Sequence, residues 1–434
     1  MKRREGARQG RFSTGTVVML ALIVIVLGGS VLVIGRLSSG ASVNLNKLNM
    51  NTLNLQNESS RNTAKTEPQT EKEQTRPEQQ TMKQESAEQE VPAENAGEKG
   101  FTLTIGGSVS LSGEVRKNSW NSDTKVADYA DVMMLLKTHI CSDVNIVFLE
   151  NILSDRLKTS DTVAPESAAT LLKEAGFGIA ACGFGQAYAN GKEGVEDTLS
   201  ALSRKGITAL GIRSGDDPGK PVITTVNGIR VAFLQYTATI ASKTRKSMEK
   251  DGTSGMVPEA EADLIGEEID AARAQGAEAV VVLVNWGKTG KEPDKTQRLL
   301  AEAIALAGAD LIVGNGSHVP QKAEYLTGRD GGSVLCIWSP GTLLSGDRSS
   351  MNKMSGYLFH VTVRSNGQGG TDFLNPEYTP VYTWKYKQDG RFYYRCIPSA
   401  EEAPDGMENE QKKNMEKSAE TVEKVLAGSP LSLR

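Results

Sequence analysis

The sequence predicts a mixed α/β domain behind a membrane anchor, on three observations. From Phe101 onward, short apolar runs alternate with segments in helical spacing, the pattern of strands layered with helices. Within 222–237, VITTVNGIRVAFLQYT, the Asn227-Gly228 pair between two alternating runs signals a β-hairpin and adds antiparallel pairing. Ahead of the domain stand a charge-free apolar stretch and a long polar tract with no core-forming pattern.

Residues 1–12 carry Lys2, Arg3, Arg4, Arg8 and Arg11 against Glu5, a basic tip in a chain whose net charge is −4. From Val17 to Gly35 nineteen residues pass without a charge. At about 1.5 Å per residue that run nearly crosses a hydrocarbon core of roughly 30 Å. It is longer than a secretory leader's apolar core and has no small-residue cleavage pattern after it, so it reads as a single-pass anchor rather than a cleaved signal. The basic flank puts the tip, 1–16, in the cytoplasm and everything after the 17–35 span outside. Residues 36–99 are rich in Gln, Glu, Asn, Thr and Ser without an apolar heptad, and are expected to form a disordered stalk. The folded extracytoplasmic domain is expected over 100–432.

Within the domain, FTLTIGGSVSL alternates and is expected to turn at Gly106-Gly107. A short amphipathic helix over Asp131–Thr138 precedes a strand at Val144–Leu149. APESAATLLKEAGF (164–177) has helical spacing, Pro165 at its start and Gly176 as its stop. GIAACGFG is the next strand, 193–207 the next helix and TALGI another strand. After the hairpin come a helix near Glu259–Gln275, the buried strand AVVVLVNWG (279–287) and a helix over Thr296–Ala307. Asp310–Val313 reads as a buried strand, with Gly314-Asn315-Gly316-Ser317 turning sharply and His318 just beyond, at the edge where α/β folds collect ligands. VLCIWSPGTLLSG (334–346), YLFHVTVR and Val381–Cys396 supply late strands, and Glu408–Leu426 a terminal helix.

Composition excludes several function classes. The acidic body offers no electrostatic footprint for nucleic acid. Cys141, Cys182, Cys336 and Cys396 are widely spread and form no C-x-x-C, which excludes a cysteine zinc site and leaves open whether any two pair. Ser317 and Ser339 sit in no G-x-S-x-G elbow, and the glycine pairs match neither a P-loop nor a dinucleotide fingerprint.

Four ordered blocks, APESAATLLKEAGF, EGVEDTLSALSRKGITALGI, VNGIRVAFLQYT and GADLIVGNGSHVPQ, resemble the CapA family of poly-γ-glutamate capsule synthesis proteins across roughly Phe101 to Ser345. The resemblance implies a metallophosphoesterase-like αββα two-sheet sandwich. It also implies a metal site, and there the sequence departs from the pattern. The family's Gly-Asp after the first strand reads Gly106-Gly107, and its Asn-Leu-Glu reads Phe148-Leu149-Glu150. The Asn-Asn-His loop reads Phe184-Gly185-Gln186, and His-Trp-Gly reads Asn285-Trp286-Gly287. Gly-His-His-Pro-His reads Gly314 to His318, keeping the last histidine alone.

A two-metal centre needs carboxylates and imidazoles to offset two divalent ions. The chain holds only three histidines, His139, His318 and His360. The residues expected to matter are therefore Glu150 and His318, with Asn315 as a further candidate ligand for at most one weakly bound divalent metal. Gln186, Asn285, Trp286, Asn315, Ser317 and His318 are expected to line a ligand pocket. The expected role is a membrane-bound protein that binds or scaffolds an anionic or peptide-like surface polymer alongside polymer-synthesis membrane proteins. The competing reading is a metal-dependent hydrolase working through Glu150 and His318.

Overall fold

The computed structural model describes residues 23–27, 30–34, 99–121, 126–129, 131–215 and 221–434. Within the stretch expected as a membrane helix, Ile23–Leu27 and Ser30–Ile34 are instead paired antiparallel, Ile23 opposite Ile34 and Leu27 opposite Ser30. Seven of these ten residues are Val or Ile. Val and Ile are frequent in strands. Among the described residues no helix is long and apolar enough to cross a membrane. The basic tip, the rest of 17–35 and the polar tract up to residue 98 lie outside the described residues.

The folded unit opens with β1 (Gly100–Val109), α1 (Gly113–Ser119), β2 (Val144–Leu149), α2 (Ala168–Ala175), β3 (Ile179–Ala181), α3 (Gly191–Arg204) and β4 (Thr208–Leu210). It continues through β5 (Val222–Val226), β6 (Ile229–Thr237), α4 (Ser242–Asp251), α5 (Ala262–Ala274), β7 (Ala279–Asn285), α6 (Lys295–Leu306) and β8 (Leu311–Asn315). It closes with β9 (Ala323–Thr327), β10 (Ser333–Ile337), β11 (Thr342–Leu344), α7 (Met351–Met354), β12 (Ser355–Ser365), β13 (Thr371–Gln388), β14 (Arg391–Pro398), α8 (Asn409–Leu426) and β15 (Ser432–Leu433). One sheet runs β4-β3-β2-β1-β12-β13-β14, with β11 also against β1 and β15 against β13; the other runs β5-β6-β7-β8-β10-β9.

The sheets face each other. Leu103, Ile105, Ile146 and Phe148 from the first meet Val231, Phe233, Val281, Leu283 and Val313 from the second in one buried cluster. Each such side chain contributes about 1.5–3 kcal/mol by leaving water. The strand period of two then assigns the outer faces. Val280, Val282 and Val284 of β7 pack with Ile265, Ile269 and Ile304 of the covering helices α5 and α6. Being buried on both sides makes β7 a continuous apolar run, as central parallel strands are. Over the first sheet, Leu171 and Leu172 of α2 and Val195 and Leu202 of α3 join a third cluster. The layers are helix, sheet, sheet, helix.

Most expected elements are present, and the departures have physical causes. Gly106 and Gly107 do not turn but lie inside β1, whose register with β2 shifts between Gly106 and Ser108. Gly107 is needed because other backbone comes close, a Cβ there standing 2.2 Å from the Gly341 carbonyl oxygen, while Gly106 faces the Leu343 and Leu358 side chains at 3.1 and 3.3 Å. Likewise β8 does not end at Val313 but runs through Gly314 to Asn315, since a Cβ on Gly314 would meet the Trp286 indole nitrogen at 2.0 Å. The helix expected over Asp131–Thr138 is a single 3-10 turn at Met134–Leu136. Helix α4 gave no periodic signal because Met248 is its only buried residue. All four cysteines are free, with Cys182, Cys336 and Cys396 buried and Cys141 exposed.

Candidate functional site at the strand ends

The carboxyl ends of β1, β2, β7 and β8 converge. Asn285 ends β7 directly opposite Asn315, which ends β8. Glu150 follows β2 and is held to the end of β1 by its own N–H, which donates to the Val109 carbonyl at 3.0 Å. Past β8, Gly316 takes a φ of +110°, and a Cβ there would stand 2.7 Å from the Trp286 carbonyl oxygen. His318 itself adopts a left-handed φ of +56°, uncommon outside glycine, and its carbonyl accepts a hydrogen bond from the Thr342 hydroxyl at 3.0 Å. That turn aims the imidazole back at the first sheet.

Glu150 is the hub. Its Oε2 lies 2.6 Å from His318 Nε2. Its Oε1 accepts from Asn315 Nδ2 at 3.0 Å, Ser108 Oγ at 3.3 Å and, at the long limit, Asn285 Nδ2 at 3.5 Å. Asn315 Nδ2 also donates to Ser108 Oγ at 2.9 Å, and Thr239 Oγ1 donates to Asn285 Oδ1 at 2.7 Å. The carboxylate is nearly buried, its side chain 9% exposed against 38% for His318. Residues of both sheets thus meet on one anion.

The environment acts on the imidazole in two directions. Partial burial pulls its pKa down, while the charge and hydrogen bond of Glu150 push it up and win, so His318 sits above its ordinary value. Lys353 and Asp347, ion-paired to each other at 2.9 Å, act on the ring with opposite signs. His360 shows the contrast. Its ring is buried between Thr104 and Thr379 hydroxyls, at 2.9 and 3.0 Å, and burial followed by repulsion from Arg434 and His139 lowers its pKa to about 3. An NMR titration should therefore show His318 changing charge above its ordinary range and His360 staying neutral through the whole physiological interval. Glu150→Gln should move the His318 midpoint down; an unmoved midpoint would break the assignment of that shift to Glu150.

The other expected pocket residues are elsewhere or otherwise engaged. Gln186 is exposed and accepts from the Thr162 hydroxyl at 3.2 Å rather than reaching Glu150. Trp286 is buried in the outer core, its indole N–H donating to the Trp338 carbonyl at 3.1 Å and its ring tilted against Trp338 at 5.3 Å. Ser317 is buried too, its hydroxyl donating to the Val319 carbonyl at 3.0 Å. A pocket wall from these three does not form, because each satisfies its polar group within its own loop or layer. Ser108 and Thr239 belong to the cluster and were not anticipated. Reading Gly106-Gly107 as a turn put Ser108 outside the strand, and Thr239 carries no motif.

The donors do not fit a pair of divalent ions. One carboxylate and one imidazole, paired with each other, supply too little negative charge, and amides supply none. Among the described residues no three His, Cys, Asp or Glu side chains are grouped to hold a metal. Glu150 has its accepting capacity almost filled from within the protein.

Fold and cleft together define a two-sheet α/β sandwich whose strand-end site is a carboxylate–imidazole pair set among neutral amides. Residues 102–346 match the family described as bacterial capsule synthesis protein PGA_cap, and the chain belongs to that family. It is 31% identical over 163 residues to the capsule biosynthesis protein CapA of Bacillus anthracis, covering 37% of this chain and 39% of that one. To the PGA biosynthesis protein CapA of Bacillus subtilis (strain 168) it is 30% identical over 202 residues, covering 46% of this chain and 50% of that one. The matches therefore span half or less of these relatives' lengths. Among solved structures, the calcineurin-like phosphoesterase YfkN from Bacillus subtilis is similar at 11% identity and a TM-score of 0.37, with 76% of this chain and 99% of that chain covered.

Proposed function

We propose that the chain takes part in making, exporting or tethering a capsular surface polymer, and that it does so by binding or scaffolding rather than by metal-dependent hydrolysis. Membership of the capsule synthesis family supports the general role, and the names of the Bacillus relatives point to poly-γ-glutamate as the polymer. The observation that carries the non-catalytic reading is the engagement of Glu150 by His318, Asn315 and Ser108, with Asn285 at the long limit. A carboxylate so engaged is a clasp between sheets, and freeing it for a metal would strand buried donors. The charge-free 17–35 stretch is the proposed anchor, with the folded domain outside the membrane and polymer-synthesis membrane proteins as its partners.

Metal analysis of the purified full chain, paired with a phosphoesterase assay in added manganese, tests this reading. Substoichiometric metal and no turnover are expected. Stoichiometric metal, with turnover abolished by His318→Ala, would overturn it and establish the hydrolase.

A further inference from the structure

A second site lies away from the Glu150 cleft, at the β14 edge of the larger sheet. There a cavity of about 470 Å³ opens between the segment Asn118–Asn121, residues Asp128, Asp131 and Val132, and the β13–β14 hairpin. Its volume falls in the range of small-molecule sites.

The hairpin builds an aromatic wall. Cross-strand register sets Tyr386 opposite Tyr393, their rings stacked at 5.5 Å, and Trp384, buried and outside the lining, stacks on Tyr386 at 4.4 Å. Arg395 closes the row with its guanidinium 5.2 Å from the Tyr386 ring centre. Across the cavity Trp120 is 48% exposed, so a large apolar surface is left facing water at the rim. Gln388 and Arg391, opposite each other beside the Asp389-Gly390 turn, add exposed hydrogen-bonding groups.

Charge selects the class of ligand. Asp128 and Asp131 balance Arg391 and Arg395 in the lining, and Arg395 is already paired with Asp131 at 3.3 Å. A polyanion would need surplus cation here, and among the described residues of the lining there is none. Aromatic faces suit the C–H faces of a ring, while amides, carboxylate and guanidinium suit hydroxyls that both donate and accept. From this combination we infer that the groove binds a neutral glycan, a polyhydroxylated chain seated against Tyr393 and Trp120. This reading is independent of the Glu150 cleft and goes beyond the role proposed for it.

The test uses the full chain in lipid nanodiscs, titrated with chitohexaose and cellohexaose, with poly-γ-glutamate as the charged comparator and tryptophan fluorescence and calorimetry as readouts. Saturable binding of at least one hexasaccharide is expected, weakened about tenfold by Trp120→Ala and by Tyr393→Ala. Lys246→Ala on the exposed face of α4 should bind as the parent does. Thermal melts check that the variants fold, and the half-exposed Trp120 keeps the test meaningful if Tyr393→Ala does not. Failure of both hexasaccharides to bind, binding unchanged in Trp120→Ala, or occupancy by poly-γ-glutamate alone would each overturn the inference.

Discussion

Glu150→Ala should cost the folded domain about 2–3 kcal/mol, a loss set by the donors left behind rather than by the carboxylate itself. Asn315 is fully buried and would keep one amide hydrogen on Ser108 while losing the partner of the other. His318 would lose the anion that holds its ring. Urea denaturation should show the midpoint falling with an unchanged slope, since the surface exposed on unfolding stays the same. His318→Ala should cost less, about 1 kcal/mol, because its more exposed side chain is screened by solvent. A midpoint unmoved by Glu150→Ala would mean that the clasp contributes nothing and that the carboxylate is free for other work.

The same clasp gives the stability a pH signature. His318 binds its proton more tightly folded than unfolded, because Glu150 raises its pKa against the pull of burial. The pair's contribution is then present in full below the ordinary histidine value of about 6.5 and is lost as pH rises through the higher folded value. The stability gap between the parent and Glu150→Gln should accordingly narrow on the alkaline side.

Periodicity carried most of the fold. The apolar run of β7, the Asn227-Gly228 hairpin and the Gly176 helix stop are each local signals, and each element stands where the pattern put it. Glu150, Asn285, Asn315 and His318 were also legible, because each ends a strand or follows one within three residues, and neighbouring parallel strands bring their ends together. What could not be read was long-range. Whether glycines turn or admit another backbone depends on Gly341 and Trp286, distant in sequence from Gly107 and near Gly314 only through the fold. Gln186 was misplaced for the same reason: strand order puts it near the rim, while its loop turns it to Thr162.

Gly107→Asp should abolish folding, and with it any return of metal binding. The resemblance to the capsule family places a carboxylate after the first strand, where this chain has Gly106-Gly107, so restoring it looks like one substitution. The space is not there. A Cβ on Gly107 would lie 2.2 Å from the Gly341 carbonyl oxygen, 2.9 Å from its carbon and 3.4 Å from the Pro340 carbonyl carbon, all of them backbone. Nor can Gly341 retreat. Its own φ is +78°, and a Cβ on it would meet Pro320 N at 2.6 Å and the Ser355 carbonyl at 2.9 Å. Behind it, Gly356 is as tightly set, 2.4 Å from the Thr342 carbonyl by the same measure. Three strands and a loop are thus wedged backbone to backbone, so the clash cannot be relieved by a rotamer change. Overpacking of that kind should exceed about 4 kcal/mol, a large share of the roughly 5–15 kcal/mol that holds an ordinary domain together. Gly107→Ala isolates the steric part and should already remove the cooperative melting transition. A Gly107→Asp protein that melts like the parent and takes up manganese would show that the lost ligand was merely exchanged. The expected result means that backbone has closed over its place, so recovering a metal site would require β1, 340–342 and 355–356 to move together.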